Sequence, residues 1–238
     1  MLKLMVSKLS FLLPILFCFI NIRPVKSESL QPSDGNTGNS KRTVTRDGCT
    51  VVPLIPTGKL VSKTSLLKPV IWFYVEYSKI GTIPDLEVSH KDLNGKTISR
   101  ILKLDSLNPT FVSYTLPFDN QELNENEDFR FNVQCGEGDG NSTGINIKRV
   151  SSSELKSLSI INFPLLRYAT ELYKLNFWAE SSNLILSVSP NYLCKDKVNT
   201  INLFTEKVNN LLGESDEDKT IKNNMRSSFQ KHFENVCK

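Results

Sequence analysis

Three rhythms of apolar and polar residues divide the chain. From Gly48 to Val150 the period is two, the spacing of strands that bury one face. In Asp128–Cys135, Phe129, Phe131, Val133 and Cys135 alternate with polar residues, so Cys135 shares the apolar face. Ile71–Tyr77 is apolar on both faces, as a central strand is. Further strands are predicted at Thr50–Ile55, Leu86–His90, Ile98–Leu104, Phe111–Leu116 and Gly144–Val150. Seven short strands in about 100 residues predict an antiparallel β-sandwich of immunoglobulin-like size over residues 47–150.

One turn follows from parity. Leu86, Val88 and His90 share a face, as do Ile98, Arg100, Leu102 and Leu104. These faces meet only across a loop of odd length, because an even loop sets Leu against Lys. Leu93-Asn94-Gly95 satisfies this, with Gly95 in the left-handed position such loops use.

After Ser151 the period lengthens to that of helices. Ser151 and Glu154 match a capping box. Pro164 can open a helix with Leu165, Tyr168, Leu172 and Leu175 on one face, and Asn176 is a left-handed stop. Trp178, Ile185 and Val188 continue on a second helix. The pair has the rhythm of one tetratricopeptide unit, but no second copy follows. Ile201, Phe204, Val208 and Leu211 form a third stripe, ended by Gly213, and Ile221, Met225, Phe229 and Phe233 a fourth. The chain therefore reads as mainly β plus α, with residues 151–238 a helical tail. Its stripes are too apolar to stay solvated, so it docks on the sandwich or on itself.

The N-terminus has neither period. Lys3 and Lys8 precede the apolar segment Phe11–Ile20, too short to span a bilayer, and Val25-x-Ser27 follows. This is the pattern of a secretory signal over residues 1–27, with cleavage after Ser27. An uncleaved anchor is the alternative. Residues 28–46 are mostly Ser, Asn, Gly, Asp and Thr, and read as a disordered linker. The signal changes the charge balance. Four of the 29 basic residues lie in it and none of the 25 acidic ones, so the mature chain is neutral. That gives no support for a nucleic-acid partner or an anionic membrane surface.

Removing the signal also removes Cys18 and leaves Cys49, Cys135, Cys194 and Cys237, an even number suited to an oxidising compartment. Four cysteines allow three pairings. Their order suggests Cys49–Cys135 within the sandwich and Cys194–Cys237 within the tail, with four free thiols the alternative. No C-x-x-C redox pair occurs.

Several segments together resemble a known family. They are Arg46-x-x-Cys49, Leu54-Ile55-Pro56, Ile71-Trp72-Phe73-Tyr74-Val75, the strand ending at Cys135, Ile145-x-Ile147-x-Arg149, and the helical pair containing Asn176-Phe177-Trp178. The pattern is similar to the exported cyanobacterial proteins catalogued as domain of unknown function 928, over roughly Arg46 to Ser187. That family's second helix typically reads Trp-Tyr-Asp-Ala, where this chain has Trp178-Ala179-Glu180-Ser181. The resemblance implies a lineage and a compartment, periplasmic or extracellular, and no mechanism.

Candidate chemistry is sparse. His90 and His232 are the two histidines, and neither has a sequence neighbour that makes it a base. No nucleophile elbow, zinc-protease or phosphate-loop motif occurs. In the loop Gly136–Gly144, Asp139, Asn141 and Thr143 have the spacing of the first ligands of a calcium loop. The closing glutamate is replaced by Val150. A flexible connection is the simpler reading, with weak Ca²⁺ binding the other. The acidic stretch Asp119, Glu122, Glu125, Glu127 and Asp128 reads as solvated. Trp72 and Tyr74 would form a binding platform if one sheet face were open, and otherwise fill a core or the seam with the tail. The expectation is an exported binding or assembly module without cofactor, acting on an unidentified protein or envelope component. An exported hydrolase with a site assembled from dispersed residues is the alternative.

Overall fold

The computed structural model describes residues 44–46, 49–77, 85–91, 94–104, 109–117, 121–135, 142–155, 164–187 and 194–237. The predicted signal and nearly all of the predicted linker lie outside them. So do Val188, Leu93, Asp119, Asp139 and Asn141.

Among the described residues, nine strands form two sheets. The four-stranded sheet contains β1 (Val44–Arg46), β2 (Cys49–Pro53), β4 (Val70–Tyr77) and β7 (Thr110–Thr115), in that order and all antiparallel. The five-stranded sheet is ordered β3 (Val61–Thr64), β9 (Thr143–Arg149), β8 (Asp128–Cys135), β5 (Leu86–Lys91), β6 (Thr97–Leu102). Its pairings are antiparallel except β3 with β9, which is parallel.

The sheets close on a core of alternating inward residues. Ile71, Phe73 and Val75 of β4 meet Leu86 and Val88 of β5, Phe131 and Val133 of β8, and Ile145 and Ile147 of β9, all fully buried. Each such side chain contributes on the order of 1.5–3 kcal/mol. Cys49 on β2 is disulfide-bonded to Cys135 on β8, with Cα atoms 6.1 Å apart, so one covalent bond joins the sheets.

The tail supplies a third layer. Helices α1 (Leu165–Lys174), α2 (Trp178–Ser187), α3 (Lys197–Leu211) and α4 (Asp216–Val236) share a second core with the other face of the four-stranded sheet. Val52 and Tyr74 from the sheet pack there with Phe204, Val208, Met225, Phe229 and Phe233 from α3 and α4. Cys194–Cys237, Cα atoms 5.6 Å apart, ties the start of α3 to the end of α4. The expected docking of the tail is therefore observed, and it makes β4 apolar on both faces. No helix among the described residues is long and apolar enough to cross a membrane.

Local signals mostly behaved as expected. His90 pairs with Ile98 and Lys91 with Thr97, the odd-loop register, and Gly95 has φ of 77°. Asn176 is left-handed, φ 73°, between α1 and α2. A cap not read from the sequence starts α4, where Ser215 Oγ accepts from the Asp218 amide at 3.1 Å.

Three readings are corrected. Val44–Arg46 is a strand paired with β2, so the linker ends before it. Val61–Thr64 is a strand missed because its buried residues, Ser62 and Thr64, are polar. The capping box is replaced by a 3₁₀ turn at Ser152–Leu155, in which Ser151 Oγ accepts from the Ser153 amide at 3.3 Å while the Glu154 carboxylate pairs with Lys63 at 2.9 Å.

Candidate functional site

The polar chemistry of the interior gathers where α2 meets both sheets. The tight corner between α1 and α2 exposes backbone groups at Asn176, and β3 uses them. The Lys63 amide donates to the Asn176 carbonyl at 2.8 Å, and Asn176 Nδ2 donates to the Val61 carbonyl at 2.8 Å. In the first turn of α2, Glu180 Oε1 accepts from Thr64 Oγ1 at 2.7 Å and from the Ser65 amide at 2.8 Å. These bonds satisfy the polar inward face of β3. On the next turn Ser182 Oγ donates to the Leu54 carbonyl at 3.1 Å, and Asn183 Oδ1 accepts from Trp72 Nε1 at 3.1 Å. Thus α2 is clamped to both sheets by hydrogen bonds.

Lys207 of α3 enters this cluster from the helical layer. Only 2 % of it is exposed. Its Nζ donates to Ser182 Oγ at 2.9 Å and to the Trp178 carbonyl at 3.4 Å. The same nitrogen lies 5.4 Å from the Tyr173 ring centre and 5.6 Å from that of Trp178, within cation–π range. Burial pushes the Lys207 amine well below its ordinary value of 10.5, opposed by the Glu180 charge. Burial likewise raises the Glu180 carboxyl, against the bonds from Thr64 and Ser65. Glu180 Oε2 is enclosed with no hydrogen-bond partner. Burial also pushes the Tyr173 hydroxyl up to about 12, while its bond with Asn210 pulls it down.

A lysine amine beside a serine hydroxyl is the pair that Ser–Lys hydrolases use. Here the serine hydrogen is directed at Leu54, and Ser182 is 2 % exposed. The adjoining cavity, lined by Leu54, Ile185, Phe204 and Val208, has a volume of about 10 Å³. That is about the space of one water, so no substrate fits beside the pair. As it stands, the cluster joins layers.

The structure separates the residues that the sequence singled out. Tyr74 is fully buried, and its hydroxyl donates to Glu76 Oε2 at 2.8 Å, while Asn224 of α4 donates to Glu76 Oε1 at 2.7 Å. Trp72 is half-buried in the second core. The Trp72–Tyr74 face is therefore a seam under the helices, and the open-platform reading is set aside. His90 is buried, its Nε2 3.1 Å from Gln121 Oε1, and stacks obliquely near Phe131. His232 lies half-buried on α4. Thr143 is buried in β9, while Asp139 and Asn141 lie outside the described residues. Among the described residues no cluster of three or more His, Cys, Asp or Glu could hold a metal ion.

Sequence reasoning missed Lys207. The signal was present: Phe204, Lys207 and Leu211 are three and four residues apart, which puts the lysine inside the apolar stripe of α3.

Among the described residues, no further layer packs on the outer face of the five-stranded sheet. Glu87 and Ser89 of β5, Asn132 and Gln134 of β8 and Asn146 of β9 alternate with core residues and point away from the core, half-exposed. Gln134 donates to Glu87 at 3.1 Å, and Arg130 lies across Gly144. Ile101, paired with Glu87, is 59 % exposed. Searches against protein-family models, curated proteins and solved structures find no match to this chain.

Proposed function

We propose that the chain is an exported, non-catalytic binding or assembly module of the cell envelope or extracellular space, of the lineage that its sequence resembles. One observation carries this reading. The centre of the four-stranded sheet is covered on both faces, by the other sheet and by the helices, while the five-stranded sheet keeps a polar outer face among the described residues, beside the exposed Ile101. A half-exposed polar face with an apolar edge suits recognition of another macromolecule better than enclosure of a small substrate. The two disulfides support an oxidising compartment. The test is capture of envelope components with the tagged full chain and with Asn132→Arg, which sets a long cation in the middle of that face. The reading expects a component held by wild type and lost by the variant. Equal capture by both, or none, contradicts it.

A second reading, an exported hydrolase, is favoured by the 2.9 Å contact of Lys207 Nζ with Ser182 Oγ. It requires the helical layer to open. A fluorophosphonate probe reacting with wild type, and not with Ser182→Ala, would establish it. Absence of labelling leaves the pair its structural role.

A further inference from the structure

We infer that β7 is an interface for a second copy of this chain, forming one continuous eight-stranded sheet from two four-stranded ones. The inference names a partner for the assembly role proposed above.

β7 is the last strand of its sheet among the described residues. The edges differ in how they discourage pairing. β6 carries Arg100 opposite the core residue Val88, β3 carries Lys63, and β1 is three residues long and includes Arg46. Charged and inward-pointing residues and short strands are the usual protections of an edge. β7, Thr-Phe-Val-Ser-Tyr-Thr, has no charge in six residues. On the helix side Phe111 packs against Phe204 and Phe229, whereas Ser113 and Thr115 are exposed, so the helical layer stops short of the C-terminal half of this edge.

The backbone fixes which groups are offered. The Leu116 amide donates to the Pro69 carbonyl, toward β4. In an antiparallel strand alternate residues turn their amides and carbonyls to opposite sides. Thr110, Val112 and Tyr114 therefore bond toward β4, and Phe111, Ser113 and Thr115 point to the open edge. The Trp72 carbonyl agrees: it accepts from Leu54, toward β2, so its neighbours Ile71 and Phe73 serve Tyr114 and Val112.

A second copy must use the same three residues. A two-fold axis normal to the sheet keeps the helices of both copies on one side and pairs residues of like parity. Centred on Ser113, it sets Ser113 opposite itself and Phe111 opposite Thr115. Val112 then faces Tyr114 on the other side of the sheet. Both are aromatic–β-branched pairs, each formed twice, which stabilise neighbouring strands. No like charges meet.

The test uses the full chain as purified, by sedimentation over a dilution series and by non-reducing gels. Wild type is expected as a concentration-dependent dimer. Ser113→Lys places like charges on the axis at an exposed site and should weaken the dimer about tenfold or more. Ser113→Cys should form an inter-chain disulfide without a cross-linker, because residues so paired have Cα atoms about 5.5 Å apart. Thr115→Cys should not. Unchanged circular dichroism and melting temperature in each variant exclude misfolding. A wild-type monomer with no Ser113→Cys cross-link overturns the inference, and so does a dimer indifferent to both changes at Ser113. A monomer that still captures a component through Asn132 leaves the proposed function standing, whereas failure of both experiments removes both.

Discussion

Phe229→Ala measures how firmly the helical layer belongs to the fold. The ring is 1 % exposed. It stacks on Phe204 of α3 with centroids 3.9 Å apart, meets Phe111 of β7 edge-on at 6.3 Å, and touches Phe233 one helical turn on at 5.8 Å. One side chain thus links α4 to α3 and to the sheet. Truncating a fully buried Phe costs about 3–5 kcal/mol. Each aromatic pair adds roughly 0.5–1.5 kcal/mol beyond area. The loss should lie near the upper end, about 4–5 kcal/mol, a third or more of the stability of a typical domain. The assay is urea unfolding with disulfides intact, followed by far-ultraviolet dichroism and by tryptophan fluorescence. Both tryptophans of the chain, Trp72 and Trp178, lie in the helix–sheet seam. The expected result is one transition, coincident by both probes, with a lower midpoint and an unchanged slope. A loss below about 1 kcal/mol, or helical signal lost while seam fluorescence stays native, would refute an integral third layer.

Other outcomes follow from the same contacts. Replacing Cys49 and Cys135 by serine should cost about 4–5 kcal/mol by loop entropy, the loop spanning 86 residues, and non-reducing peptide maps of wild type should show that pair linked. Lys207→Met should gain on wild type as pH falls from 10.5 toward neutrality. The folded amine titrates below the unfolded one, so across that window folding must release a proton that wild type alone carries; denaturation at several pH values showing a flat or opposite difference would contradict this. Gly95→Ala should cost about 1 kcal/mol, entirely from its φ of 77°, because an added Cβ meets nothing within 4 Å; a melting temperature unchanged from wild type would count against it.

How much of this was legible depended on what each segment buries. β8 was read to the residue because its inward positions are all apolar. β4 was recognised as central from its two apolar faces, but which partner covers Trp72 and Tyr74 is a matter of chain folding, and only the structure shows the helices there. β3 was invisible because it buries Ser62 and Thr64 against Asn176 and Glu180, and these partners lie more than a hundred residues on. The Lys207 cluster was missed for a related reason. A lysine at an inward helical position is tolerable only where carbonyls, hydroxyls and rings converge, and that convergence involves α1, α2 and α3 together.

The central claim is that the open face of the five-stranded sheet does the binding and the aromatic seam does not. A photo-cross-linking amino acid at Asn132, compared with the same residue at Trp72, in the full chain expressed in cells with a native envelope, tests it most directly. The account predicts a discrete adduct from position 132 and none from position 72. An adduct from position 72, or none from position 132 in folded, exported protein, would contradict it.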